Sequence, residues 1–185
     1  MPVIRDTTYV APYVLSNRHL ATILPVMLRL TYGVRYERQR IDTLDGDFLD
    51  LDWLRNGNKR LLICCHGLEG SSRSPYVAGM AKNFARRNYD VLAWNYRGCS
   101  GSPNRTLAFY HPGQTDDFEQ VVRAALERGY KEIYLAGFSL GGAYILRYLG
   151  EKAANIYPEI KKAVAFSTPV DLEASTRHMS ESSGG

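Results

Sequence analysis

"LAGFSLGGAY", residues 135–144, sets a serine among glycines where an apolar run gives way to helical spacing. Ile133–Ala136 reads as a strand and Leu140–Leu149 as a helix, so Gly137-Phe138-Ser139-Leu140-Gly141 is a G-x-S-x-G sequence in a strand–turn–helix context. So sharp a turn strains the serine backbone, and the flanking glycines leave room where a Cβ would collide. It lifts the Ser139 oxygen clear of the sheet and points the free N–H groups of the next helix at whatever that oxygen attacks. Ser139 is the candidate nucleophile.

The segments around this turn alternate. "RLLICCHG" (60–67) is a continuous apolar run, as expected of a strand covered on both faces, and "DVLAWNYRG", "KEIYLAGFS" and "IKKAVAFSTPVD" predict three more strands. Between them, "SPYVAGMAKNFARRN" carries helical spacing with Pro75 suited to a first turn. "TDDFEQVVRAALERG" predicts a helix with Thr115 as N-cap, Asp116 and Asp117 in its first turn and Gly129 as its stop. Upstream, "VRYERQRIDTLDGDFLDLDWL" reads as two alternating runs joined at Asp45-Gly46, an antiparallel hairpin. The expected fold class is α/β: a mostly parallel sheet with right-handed crossovers and an antiparallel N-terminal hairpin. Residues 1–33 form an N-terminal arm and 34–185 the core.

A serine that attacks a carbonyl needs donors for the resulting oxyanion, and losing one typically costs about 10²–10³ in rate. The N–H of Leu140, just after the nucleophile, is one. The second is expected from the loop after an earlier strand, where "HGLEG" (66–70) makes the Leu68 N–H the candidate. His66 precedes the serine and is read as a loop-packing residue bonded to backbone rather than as the base.

The totals exclude several classes. With 185 residues, 45% apolar and 11% aromatic, the chain is globular rather than disordered. The net charge of +4 comes from Lys and Arg spread along the sequence, so no basic stripe points to nucleic acid. Cys64, Cys65 and Cys99 have neither metal-site nor disulfide-framework spacing, which points to a reducing compartment; no ligand cluster occurs elsewhere in the sequence, and no metal or other cofactor is expected. Arg18, His19, Pro25 and Arg29 interrupt the N-terminal arm, so no stable membrane span is expected, although the arm could rest on a membrane surface or cover an apolar pocket.

"PYVLSNRHLATILP", "HGLEGSSRSPYV", "NYRGCSGSPNR", "YHPGQTDD", "GFSLGG" and "STPVDLEAS" together resemble the YheT-like family of α/β-hydrolases over nearly the whole chain. The resemblance implies the α/β-hydrolase fold and a cytoplasmic serine esterase or lipase-type enzyme, acting without a metal on short- or medium-chain acyl esters. Ser139 matches the family's nucleophile, and Leu68 and Leu140 its oxyanion donors.

In that family the acid and then the histidine follow on later strands, after a cap segment. Here only Asp171 and His178 follow Ser139 in triad order, and "RHMSESSGG" is a polar tail with no packed shell to hold an imidazole. His19 and His111 are read as packed or pocket-lining. The base is therefore expected outside this sequence, which reads as a C-terminally truncated portion lacking roughly 130 residues of a full-sized domain. Such a chain would be inactive or crippled, with a residual of roughly 10³–10⁴ over water from the oxyanion hole and binding. Its last strand would be an open edge prone to self-association and low solubility. Two other functions stay open: a non-catalytic module binding ligands or a partner, and an acyltransferase using the same serine.

Overall fold

Six strands form one sheet: β1 (Glu37–Asp42), β2 (Phe48–Leu54), β3 (Arg60–Cys65), β4 (Asp90–Asn95), β5 (Glu132–Phe138) and β6 (Ile160–Phe166). In this computed structural model, which describes residues 8–10, 12–28, 34–111 and 113–182, their order is β1-β2-β4-β3-β5-β6. The pairs β4–β3, β3–β5 and β5–β6 are parallel, whereas β1–β2 and β2–β4 are antiparallel. This is the mixed α/β sheet expected from the sequence, with the hairpin at one end. Gly46 makes its turn at φ 81°.

Among the described residues five α-helices accompany the strands: α1 (Arg18–Leu28), α2 (Pro75–Ala85), α3 (Asp116–Glu127), α4 (Leu140–Lys152) and α5 (Leu172–Ser182). Two compact units are distinguished, residues 1–32 with α1 and residues 33–185 with the sheet. Among the described residues no helix is long and apolar enough to cross a membrane.

Both faces of the central strands are buried. Leu61, Ile63 and Cys65 join one apolar cluster with Trp94, Phe118, Val122 and Tyr144, on the face covered by α3 and α4. The alternate residues Leu62 and Cys64 pack on the other face with Val77 and Ala81 of α2. A period-two strand buried on both sides leaves no polar positions, which is why "LLICC" reads as an unbroken run. Cys64 and Cys65 are buried free thiols, and burial pushes the Cys64 thiol up to about 12.

Charged side chains fasten the periphery. Across the hairpin, Arg38 and Arg40 stand opposite Asp52 and Asp50 and bind them at 2.7 and 2.8 Å. Arg97, just after β4, grips Asp117 of α3 through two 2.7 Å bonds and reaches Asp45 at 2.6 Å and Asp47 at 3.4 Å in the hairpin turn. Asp47 is fully buried and also accepts from the Arg105 amide, Asn104 and Thr106. One guanidinium thus joins the hairpin, the loop after β4 and the start of α3.

Two local expectations change. Thr115 occupies the N-cap of α3, but its hydroxyl donates to Glu151 of α4 and makes no cap bond. Residues 177–182, the described part of the segment read as a polar tail, belong to the helix α5, which is capped by Asp171 Oδ1 accepting from Ala174 N–H at 2.9 Å. At the other end of the sheet β6 is bonded, among the described residues, to β5 alone, and Val164 and Phe166 are 49% and 39% exposed.

Candidate active site

β5 ends at Phe138 and α4 begins at Leu140, so Ser139 alone makes the turn, at φ 52° and ψ −117°. A non-glycine residue held there stores on the order of 1–3 kcal/mol of strain, which the surroundings must impose. They do so by close packing. A Cβ on Gly137 would lie 2.4 Å from the Gly141 carbonyl oxygen, and one on Gly141 would lie 2.4 Å from that of Cys65. The Ser139 N–H donates to the Phe166 carbonyl at 2.8 Å, tying the bend to the end of β6. Its carbonyl accepts from Gly142 and Ala143 at 2.9 and 3.2 Å, which opens α4. The Ser139 side chain makes no cap bond and the residue is exposed.

The turn after β3 lies directly against this bend. The Cβ position of Gly67 is 3.5 Å from Ser139 Cβ and 3.4 Å from the Phe138 carbonyl oxygen. Its amides are nearly all committed. Gly67 N–H donates to Tyr76 Oη at 2.9 Å, Glu69 N–H to Tyr110 Oη at 3.2 Å and Gly70 N–H to the Gly67 carbonyl at 3.1 Å. Ser71 N–H donates to Ser74 Oγ at 3.0 Å and Ser72 N–H to Asn95 Oδ1 at 2.9 Å. Among the described residues the Leu68 amide is the one in this run without an acceptor, and the Leu140 amide at the head of α4 has none either. Leu68 is 66% exposed.

His66 supports the turn from below. It is fully buried, its Nδ1 donates to the Gly67 carbonyl at 2.7 Å, and its Nε2 accepts the Tyr96 N–H at 3.3 Å. Tyr96 stacks on the ring at 3.8 Å and donates its hydroxyl to the His66 carbonyl at 2.6 Å. Both ring nitrogens are spent on backbone, as the sequence reading expects. Burial drives the imidazole pKa down to about 4 against the opposing Gly67 bond, so the ring is neutral at pH 7.

Because the unfolded chain takes up that proton near pH 6.5, stability from neutral His66 is complete above 6.5 and lost as pH falls from 6.5 towards 4. The loss is on the order of 3 kcal/mol. Urea unfolding across pH 7 to 4.5 should show this slope, and His66→Gln should flatten it. A slope unchanged in that variant would assign the acid sensitivity elsewhere.

His111 is exposed rather than packed, accepts the Gly113 N–H on Nδ1 at 2.9 Å, and lines a cavity of about 440 Å³ with Leu146, Val170 and Leu172. His19 lies exposed on α1. His178 is exposed on α5, and Asp171 spends a carboxylate oxygen on the cap of that helix. Among the described residues no hydrogen bond joins His66, His111 or His178 to Ser139, or Asp171 to His178. None of them groups three or more His, Cys, Asp or Glu side chains so as to hold a metal. Sequence reasoning missed Tyr76, Tyr110 and Asn95, whose only signal was their place in "SPYV", "YHPG" and "NYRG".

Comparison with known proteins agrees with this fold. The alpha/beta hydrolase fold family matches residues 60–183. YheT of Escherichia coli, an esterase by name, is 39% identical over 89% of this chain and 49% of its own length. The embryogenesis-associated protein EMB8 of Picea glauca is 33% identical over 90% of this chain and 40% of its own. Among solved structures, the Pyrococcus furiosus esterase Pf2001 superposes with a TM-score of 0.66 at 26% identity, covering 80% of this chain and 55% of that one. The chain thus spans about half the length of these relatives. The sheet order, the serine bend and these matches together show that the chain belongs to the α/β-hydrolase fold family and is YheT-like within it.

Proposed function

We propose that this protein hydrolyses carboxylic esters through an acyl-enzyme on Ser139, with the Leu68 and Leu140 N–H groups receiving the oxyanion. The observation that carries the reading is the pairing of an exposed serine at φ 52° with the Leu68 and Leu140 amides, which have no acceptor among the described residues. In the acylation step Ser139 Oγ attacks the ester carbonyl and loses its proton to a base, the carbonyl oxygen takes up negative charge, and the alcohol leaves with a proton. Water then cleaves the acyl-serine. The esterase names of YheT and Pf2001 support the substrate class, and the sequence resemblance supports short or medium acyl chains. The three free cysteines suit action in the cytoplasm.

A fluorophosphonate probe should label the full-length protein at one position, found by peptide mass to be Ser139, and Ser139→Ala should abolish the label. Labelling elsewhere, or persisting in that variant, would refute the assignment. A p-nitrophenyl ester series from acetate to palmitate tests chain length, with the optimum expected at butyrate to decanoate. Adding a primary alcohol and analysing products separates hydrolysis from acyl transfer.

The open edge of β6 favours a second property of residues 1–185 in isolation, association of two copies through this strand. Sedimentation velocity should show weight-average mass rising with concentration, and Val164→Lys should suppress the rise. A monomer at all concentrations would refute it.

A further inference from the structure

Resting on the reading of Ser139 and Leu68 just given, we propose that Tyr76 and Tyr110 are positioning residues that hold the amides on either side of Leu68 and so leave its N–H free for the oxyanion. They come from different elements. Tyr76 is the second residue of α2, and its ring packs on Phe138, the residue before the nucleophile, at a centroid distance of 4.8 Å. Tyr110 is a buried residue of the loop between β4 and α3, packed on Tyr96 at 5.3 Å.

The need for such a hold follows from the backbone. Glu69 sits at φ 54°, a left-handed conformation that a residue with a Cβ adopts only under constraint. The bond from its N–H to Tyr110 Oη supplies one constraint, and the bond from Gly67 N–H to Tyr76 Oη the other. Tyr76 Oη also sits so close over the turn that a Cβ on Gly70 would come within 2.7 Å of it. Were either phenol oxygen absent, Gly67 or Glu69 N–H would seek a new acceptor and the 67–70 turn would rotate. The bound substrate's own carbonyl would then compete for the wrong amide. The two oxygens therefore work by preorganisation: they remove the alternatives before the charge develops.

The test uses Tyr76→Phe, Tyr110→Phe and the double variant of the full-length protein with a p-nitrophenyl ester. Each substitution keeps the ring and removes the hydroxyl that accepts the turn amide, which in Tyr110 also bonds the Cys99 thiol. We expect kcat to fall roughly 10- to 100-fold, as for a misplaced catalytic group, with KM held within about twofold. Affinity for a trifluoromethyl ketone, which adds to the serine and presents an oxyanion, should fall in step with kcat. Affinity for the corresponding unreactive alcohol should not. A folded variant whose kcat stays within about twofold overturns the proposal, and so does an equal loss of affinity for ketone and alcohol.

A measurement on the unsubstituted protein keeps the proposal testable should the variants not fold. In amide NMR spectra of the phosphonylated protein, the Leu68 N–H should move downfield on adduct formation while those of Gly67 and Glu69 stay in place. Movement of Gly67 or Glu69 instead of Leu68 overturns it. Ser139→Ala separates the two readings. Turnover surviving in that variant removes the nucleophile assignment, whereas loss there with unchanged Tyr→Phe variants removes only the role of the phenols.

Discussion

Replacing Ser139 by Ala in the full-length protein is expected to lower kcat by roughly 10⁴- to 10⁶-fold, the range seen when a serine nucleophile is removed from a complete catalytic set. The reason is geometric. The bend at φ 52° aims one short side chain outwards and no other residue can take its place. Cys64 and Cys65 are buried thiols held protonated by burial, Cys99 is pushed the same way by its partial burial, and His66 is locked between two backbone groups. KM should change little, because the hydroxyl contributes to the transition state rather than to ground-state binding. Circular dichroism and Tm should match the parent, since Ser139 caps nothing with its side chain. A full-length Ser139→Ala variant within about tenfold of the parent would end the assignment.

The second large effect is on stability. Arg97→Met is expected to cost about 3–5 kcal/mol, the usual loss when one partner of a buried ion cluster is removed. For a chain of this size that corresponds to a Tm fall on the order of 10 °C. Arg97 is 8% exposed and meets three carboxylates. Hydrogen bonding to Arg97, with help from Thr43, holds Asp45 at about 2, so its charge survives any working pH. Burial raises the Asp47 carboxyl, but bonds from the Arg105 amide, Thr106, Phe48 and Asn104 outweigh it and keep that group ionised. Removing the cation strands these charges together. Adding Asp47→Asn should recover part of the loss, so the two changes should be clearly non-additive in urea unfolding. A loss below about 1 kcal/mol, or strict additivity, would show that the cluster is solvated and unimportant.

The serine bend was legible in the sequence because its requirements are local. Gly137 and Gly141 must lack a Cβ, the strand must precede and the helix must follow, and all of this falls within ten residues. The hairpin at Asp45-Gly46 and the doubly buried β3 were legible for the same reason. What escaped is long-range. Thr115 has the chemistry of a cap, yet Glu151 arrives from α4 and takes its hydroxyl. Residues 172–182 carry few apolar side chains, so no periodicity announces α5, and its cap at Asp171 falls in the stretch that the sequence assigns to the preceding strand, which ends at Phe166. Tyr76 and Tyr110 look like ordinary aromatic residues until the fold brings their oxygens to one turn.

The register of the sheet has a kinetic consequence. β3 pairs with β5 from Arg60–Glu132 to Cys65–Gly137, closing a long loop that contains β4, α2 and α3. That closure costs chain entropy before any contact repays it, so such non-local pairings form slowly. Gly141 rests on the carbonyls of Cys65 and His66, and Gly67 rests on Ser139. Neither half of the site can take shape until this closure is complete. Chains in which this pairing has not formed lack the reactive centre, whatever other secondary structure they hold, and competence arrives with the closure itself.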